Sequence, residues 1–270
     1  MSSQIKIKML REIIENKIKE VQLLKRYNDT DLEKIINKHR PRGFLNALKK
    51  KRDLNHTAII AEIKRYSPSK GKLNMELDVA NIANLYQKNG AACISVLTDH
   101  KYFKGDLKDL HEAKRSSTLP ILRKDFIIDE SQLVESKIAG ADCILLILAC
   151  LDSDKYHSLL NFTKTLEMDA LVEVHNQEEL EIALDSSADL IGINNRNLKD
   201  FNVTINTSME LAELVSNEKI FLVSESGISS RETILQLQNK RINGFLIGES
   251  LITSGNIADC LKNLVGDNNE

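Results

Sequence analysis

Tryptophan is absent, and aromatic residues make up only 4% of the 270-residue chain. That is too few for the stacked aromatic surface that single-stranded nucleic acid needs. With 3 prolines and 11 glycines, collagenous, proline-rich and linker-dominated architectures are excluded. The four cysteines, Cys93, Cys143, Cys150 and Cys260, include no CxxC pair. Three lie in apolar segments, which points to core thiols in a reducing cytosol rather than to disulfides or a metal site. No unbroken apolar run approaches the roughly 18 residues of a membrane span. The first residues, MSSQIKIKMLREII, carry Arg11 and Glu12 within their apolar stretch and so lack the apolar core of a secretory signal. Neither sign of charge is in excess: 37 basic against 39 acidic residues leave −2. Any polyanion site must therefore be local, and neither nucleic acid nor a membrane is an expected partner. The one dense basic run, Lys49-Lys50-Lys51-Arg52, reads as a solvated helix end or loop.

What the chain does have is a change of pattern at residue 58. Before it, Ile13, Ile14, Ile18, Val21 and Leu24 recur at helical spacing. Leu32, Ile35 and Ile36 form a second stretch with Asp31 near its start, and Phe44, Leu45 and Leu48 resume past the breakers Pro41 and Gly43. From there eight short apolar runs follow: Ala58-Ile63, Ala92-Leu97, Leu119-Leu122, Cys143-Leu148, Ala170-Val174, Asp189-Ile193, Ile220-Val223 and Gly244-Ile247. Near-continuous hydrophobicity suits parallel strands covered on both faces. Helix signals fall between the runs. Asp78 precedes Val79, Ile82, Ala83 and Tyr86, with Gly90 past the end. Asp129 with Gln132 has the capping-box pattern before Leu133, closed by Gly140, and Asn176 with Glu179 repeats it before Leu180.

Alternating strand and helix units predict a parallel sheet. Eight such units, with no GxGxxG after the first run, predict an α/β fold of the (β/α)8 TIM-barrel type rather than a dinucleotide-binding open sheet. The expected organisation is one structural domain, with a helical extension over 1–57 packed on a barrel over 58–265 and a frayed tail over 266–270.

In such a barrel the active site lies at the carboxyl ends of the strands. Glu62 and Lys64 share one face at the end of the first run, opposite Ile63. Lys124 shares a face with Leu122 at the end of the third, Glu173 sits between valines in the fifth, and Gly192, Asn194 and Arg196 share a face in the sixth. A charge in a barrel interior is costly unless paired or hydrated. One such residue reads as a structural ion pair, and Glu62–Lys64 or Glu173–Lys124 pairs that only fix the rim are that alternative. Four strands each delivering one to a common rim point to a catalytic site.

The last two runs lead into Ser224-Glu225-Ser226-Gly227-Ile228-Ser229 and Gly248-Glu249-Ser250. Small residues there let a phosphate approach backbone N–H groups, in the two loops that usually bind phosphate in this fold. A phosphate ester is the leading ligand, and the loop Ser67-Pro68-Ser69-Lys70-Gly71 is placed to close over it.

These residues resemble a known family. The segments Ala61-Glu-Ile-Lys-Arg-Tyr-Ser-Pro-Ser69, Ser95-Val-Leu-Thr-Asp99, Lys101-Tyr-Phe-Lys-Gly105 and Leu122-Arg-Lys-Asp-Phe-Ile-Ile128 look like those of the indole-3-glycerol-phosphate synthase family. So do Val172-Glu-Val174, Ile191-Gly-Ile-Asn-Asn-Arg196, Ser224-Glu-Ser-Gly-Ile228 and Phe245-Leu-Ile-Gly248. The resemblance implies a (β/α)8 barrel with a helical extension over its mouth, acting in tryptophan biosynthesis. It implies closure of the indole ring of 1-(o-carboxyphenylamino)-1-deoxyribulose 5-phosphate with loss of carbon dioxide and water, without metal or organic cofactor.

Carried onto matching positions, the resemblance makes Lys124 the general acid at the ribulose carbonyl. Glu173 would stabilise the cationic intermediate or take a proton in dehydration. Lys64 would hold the substrate carboxylate and donate a proton later, Glu62 and Asn194 would orient these groups, and Arg196, Glu225 and Phe126 would support the substrate. Ser67, Ser226, Gly227, Gly248 and the Glu249 N–H would hold the phosphate. The Glu249 side chain, where some members have a small hydroxyl, should point away or weaken binding. The chemistry itself wants an acid at the ketone and an acid and a base for dehydration. A lysine in a cationic rim would have its proton loosened. His56, His100, His111, His157 and His175 are scattered over different units and read as surface or helix-cap residues. Two rivals remain open to test: a Schiff-base aldolase using Lys124 or Lys64, and a non-catalytic sugar-phosphate module. A cytoplasmic protein acting as a monomer is the expectation, with association among pathway enzymes undecided.

Overall fold

A computed structural model describes residues 3–198 and 201–266; the rest of the expected tail lies outside the described residues. Three helices come first: α1 (Ser3–Val21), α2 (Asp29–Lys38) and α3 (Phe44–Asp53). The strands, in chain order, are β1 (Ala58–Ile63), β2 (Tyr66–Ser67), β3 (Gly71–Lys72), β4 (Cys93–Leu97), β5 (Ile121–Lys124), β6 (Cys143–Ile147), β7 (Asp169–Val174), β8 (Leu190–Asn194), β9 (Phe221–Glu225) and β10 (Gly244–Ile247). Among and after them run α4 (Val79–Lys88), α5 (His100–Phe103), α6 (Leu107–Ser116), α7 (Glu130–Ala139), α8 (Ser153–Thr165), α9 (Gln177–Leu184), α10 (Asn206–Glu213), α11 (Arg231–Gln238), α12 (Glu249–Ile252) and α13 (Ile257–Val265). Eight strands close into a parallel barrel in the order β1-β10-β9-β8-β7-β6-β5-β4, and β2 and β3 form a separate small hairpin in the loop after β1. This is the expected (β/α)8 TIM barrel. Among the described residues no helix is long and apolar enough to cross a membrane.

The period-two alternation of a strand explains both halves of the core. One row, including Ile59, Ala61, Ile94, Val96, Ile144, Val172 and Val174, packs beneath the surrounding helices. The alternate row, including Ala58, Ile60, Leu122, Leu145, Leu171, Phe221, Val223 and Leu246, fills the barrel interior. The interior also takes in Phe44, Leu45 and Leu48 of α3, with Phe44 and Leu48 fully buried. The start of α3 is held from the barrel: Asp142 accepts the Arg42 N–H (2.5 Å) and Asp169 accepts the Leu45 N–H (3.0 Å). α3 therefore plugs the barrel, and among the described residues of the extension those at the catalytic mouth belong to α1. The extension is not one layer over the mouth.

The buried stripe of α1 also differs from the expected Ile14–Ile18–Val21 face. Ile13, Lys17 and Val21 are buried, one turn apart, while Ile18 is 47% exposed. The stripe turns by one residue because Lys17 finds a charged socket: its ammonium lies 3.1 Å from Asp99 and 2.9 Å from Asp125, with Glu20 at 2.7 Å. Strand β5 begins two residues later than expected. Pro120 has no N–H for the ladder, and Asp142 accepts the Ile121 N–H at 2.7 Å, so Lys124 is the last strand residue. Capping at Asp78, and the capping box of Asp129 with Gln132, form as expected. At α9, Asn176 caps the Glu179 N–H, but the Glu179 carboxylate goes to His175 and to the Asn176 side chain instead of closing the box. The basic run ends α3 as expected. Cys93 and Cys143 are buried, whereas Cys150 and Cys260 are half-buried.

Candidate active site

At the carboxyl end the interior rows turn from apolar to polar without changing face. Ala58 and Ile60 lead to Glu62, Leu122 to Lys124, Leu171 to Glu173, Leu190 and Gly192 to Asn194, and Phe221 and Val223 to Glu225. The strand alternation thus delivers five polar groups into one mouth, with the barrel's apolar plug beneath them. The cavity there is lined by Glu62, Lys64, Ser67, Lys124, Phe126, Glu173, Asn194, Arg196, Glu225, Ser226, Gly227, Gly248 and Glu249. Every site residue singled out from the sequence lies on this one wall.

Lys124 is the centre of the charge pattern. Its ammonium is 3.1 Å from Glu173 Oε2 and pairs with Glu225 Oε2; Lys64 pairs with Glu62. Both ion pairs anticipated as a rim-fixing alternative are present. The expected cationic rim is not: Lys124 faces carboxylates, so its proton is held, not loosened. Burial opposes its charge, but Glu225, Glu173 and Glu62 outweigh burial and raise it above the ordinary lysine range. Burial likewise opposes the charge of Glu173, yet Lys124 and His175 win and hold it well below the usual carboxylate range, with a hydrogen bond from Asn194 adding to the effect. Glu225 goes the other way. Burial, with Lys124 opposing and Glu173 reinforcing, pushes it up to about 7. Its Oε1 is buried and has no hydrogen-bond partner.

Two glycines make room for these carboxylates. A Cβ on Gly192 would lie 2.2 Å from Glu225 Oε1, and one on Gly248 would lie 2.4 Å from Glu62 Oε1. Gly248, singled out for close approach of a phosphate, therefore also clears space for Glu62. On the same side Ser226 (φ 67°) and Gly227 (φ 79°) are both left-handed, which turns the backbone after β9 at the cavity wall. The Glu249 carboxylate is 3.1 Å from Lys70 and 4.0 Å from Arg196. It is thus turned onto two cations, one of them in the β2–β3 hairpin, while Ser67 accepts the Lys70 N–H (3.2 Å).

Sequence reasoning missed two parts of this site. Met9, Leu10 and Ile13 of α1 line the cavity, anchored one turn later by Lys17 on Asp99 and Asp125. Asp125 is also paired with Arg123 (3.1 Å) and accepts the Thr98 hydroxyl (2.6 Å), so the residue after Lys124 is fixed from three elements. The second omission is His175, read as a surface or cap residue. Its side chain is 7% exposed and lies 3.2 Å from Glu173 and 3.1 Å from Glu179. Its place immediately after the strand bearing Glu173 was the available signal. Among the described residues no cluster of His, Cys, Asp and Glu is arranged to hold a metal ion.

Fold and site together define a (β/α)8 barrel with a charged cavity at the carboxyl ends of its strands. The family model for indole-3-glycerol phosphate synthase matches residues 10–264. An indole-3-glycerol phosphate synthase of Legionella pneumophila (strain Lens) is 45% identical over 96% of this chain and 99% of its own length. Those of Polaromonas naphthalenivorans and Desulforamulus reducens are 46% and 44% identical, covering 84% and 95% of this chain and 86% and 97% of their own. The chain belongs to the indole-3-glycerol phosphate synthase family, carboxy-lyases of tryptophan biosynthesis. Solved structures share the fold at low identity. A thiamine phosphate pyrophosphorylase from Pyrococcus furiosus has a TM-score of 0.55 at 13% identity, over 77% of this chain and 93% of its own. A chain of the Pyrococcus furiosus tryptophan synthase complex has 0.56 at 15%, over 78% and 98%.

Proposed function

We propose that the residues of this mouth divide the family reaction as follows. The Lys124 ammonium donates its proton to the ketone oxygen of 1-(o-carboxyphenylamino)-1-deoxyribulose 5-phosphate as the aromatic ring attacks the carbonyl carbon. The carboxylate then leaves as carbon dioxide, its bonding pair returning to the cationic ring. Lys64, beside Glu62, protonates the departing hydroxyl, which leaves as water. Glu173 stays ionised and stabilises the cationic ring; a carboxylate held so far below its usual range is a weak base. Glu225, which burial raises above the usual carboxylate range, takes the proton from the CH2 carbon next to nitrogen as the hydroxyl leaves, and the freed C–H pair forms the indole double bond. Ser67, Ser226, Gly227, Gly248 and the Glu249 N–H hold the phosphate, Arg196 and Phe126 flank the substrate, and Asn194 orients Glu173.

The observation that carries this reading is the Lys124 ammonium bracketed by Glu173 and Glu225 at the end of β5. It also weighs against the Schiff-base alternative, which needs a neutral amine at Lys124. We read the protein as a cytoplasmic monomer with α1 shielding bound substrate from water. The test is Lys124→Met, expected to cut turnover by about 100-fold or more with unchanged far-ultraviolet circular dichroism. A variant keeping more than a third of the wild-type rate, as a rough threshold against that loss, would remove Lys124 from the role.

A further inference from the structure

His175 follows the last residue of β7 and precedes Asn176, the cap of α9. Glu179, in the first turn of α9, is fixed from three directions. Its Oε2 accepts the His175 N–H at 2.8 Å and lies 3.1 Å from the ring Nδ1, and its Oε1 accepts from the Asn176 side chain at 2.8 Å. On the other side of the ring, Nε2 approaches Glu173 Oε1 to 3.2 Å, an ion-pair distance without the alignment of a full hydrogen bond. The second oxygen of Glu173 faces Lys124 at 3.1 Å. The result is a row of alternating charge: Glu179, His175, Glu173, Lys124, Glu225.

A neutral imidazole has one donor nitrogen and one acceptor. An acceptor nitrogen facing a carboxylate at this distance would be repelled, so a ring with carboxylates at both nitrogens is built for the doubly protonated form. We propose that His175 is a positioning residue of the reaction: an imidazolium clamped between Glu179 and Glu173, it keeps the Glu173 carboxylate ionised and aimed at the cavity when Lys124 gives up its proton. The proposal rests on the reading of Glu173 as the working carboxylate. His175 does not line the cavity, so it acts through Glu173 and not on substrate. The groups that bear on it are Glu173 from β7, Glu179 from α9 and, beyond Glu173, Lys124 from β5 and Glu225 from β9. The Cys150 thiol after β6 feels the same two carboxylates, and burial keeps it neutral. Burial alone would lower the imidazole, but Glu173 and Glu179 raise it to about 9.

The test combines His175→Gln, Glu179→Gln and Glu173→Gln with NMR titration of the labelled histidines in the folded wild-type enzyme. The His175→Gln spectrum identifies the resonance. It should titrate near 9 in wild type and lower in Glu179→Gln. His175→Gln should lose about 10-fold in kcat with KM within about 2-fold, and the acid limb of its kcat profile should move up by about one pH unit, as Glu173 loses one of two cations. A purely structural role would lower stability without moving that limb. A His175 that titrates between 6 and 7, roughly its unperturbed range, or a His175→Gln enzyme with an unshifted profile, overturns the proposal. An active Glu173→Gln enzyme would instead overturn the reading of Glu173, which keeps the two failures apart.

Discussion

Lys17→Met probes how α1 is tied to the catalytic mouth. The methionine keeps most of the stem's volume and removes the ammonium, which sits between Asp99 and Asp125 with only 4% of its side chain exposed. Breaking a buried ion pair on one side costs about 3–5 kcal/mol, because the remaining charge is left uncompensated. Here the remaining charges keep other partners: Asp125 retains Arg123 and Thr98, and Asp99 retains the Tyr102 N–H at 2.7 Å. The cost should therefore fall at the lower end, about 3 kcal/mol. At roughly 2–4 °C per kcal/mol for a chain of this size, Tm should drop by about 6–12 °C in a calorimetric scan. Because α1 also carries Met9, Leu10 and Ile13 in the cavity wall, KM should rise together with the fall in Tm. The pH dependence has a definite sign. Lys17 is raised by Asp125 and Asp99 against burial, so its contribution is whole below the ordinary lysine value of 10.5 and fades only at more alkaline pH. Asp125 is lowered by Arg123 and Lys17 against burial, so its contribution is present above 3.8 and fades as pH falls further. The gap between wild type and variant should be flat across the neutral range and narrow in acid. A Tm within about 2 °C of wild type at pH 7, less than 1 kcal/mol by the same scale, would refute the idea that this network anchors the helix.

Glu225→Gln should stabilise the protein while slowing it. A carboxylate raised above its ordinary 4.5 by burial favours the native state below 4.5 and loses that contribution as pH rises through the raised value. The variant should gain most of this at pH 8 and none at pH 4, as read by denaturant titration; a wild type that gains on the variant as pH rises would contradict the sign. Leu48→Ala should cost about 2–5 kcal/mol, and a chain starting at residue 55 should lack barrel-like circular dichroism. A chain starting at residue 26, which loses α1 only, should keep it; the reverse pattern would mean that α3 is no plug. Glu249→Ser should tighten inhibition by inorganic phosphate a few-fold, because one like charge in a screened mouth is worth about 1 kcal/mol. Unchanged inhibition would place the phosphate away from α12.

The barrel was legible because its strands announce themselves twice, once by apolar runs and once by polar residues at their ends. Glu62, Lys124 and Asn194 could be picked out by parity and Glu173 by its place between valines, since strand alternation is local; Glu225 entered only through the resemblance. What stayed hidden depends on partners distant in sequence. The role of α3 is settled by Phe44 and Leu48 entering a barrel made of much later residues. The burial of Lys17 requires Asp99 and Asp125 to converge on it, so helical periodicity chose Ile18 instead. The state of Lys124 was misjudged for the same reason: a cationic rim was expected, whereas carboxylates from β1, β7 and β9 surround it in space. His175 was passed over because its place just after the strand bearing Glu173, the one local signal, was outweighed by its place just before the cap Asn176.

The central claim is that this mouth closes an indole ring. Purified protein mixed with 1-(o-carboxyphenylamino)-1-deoxyribulose 5-phosphate should develop indole fluorescence, releasing one carbon dioxide for each indole-3-glycerol phosphate formed, with inorganic phosphate slowing the reaction and Lys124→Met nearly abolishing it. A folded wild-type protein that binds the substrate and produces neither fluorescence nor carbon dioxide would contradict the account.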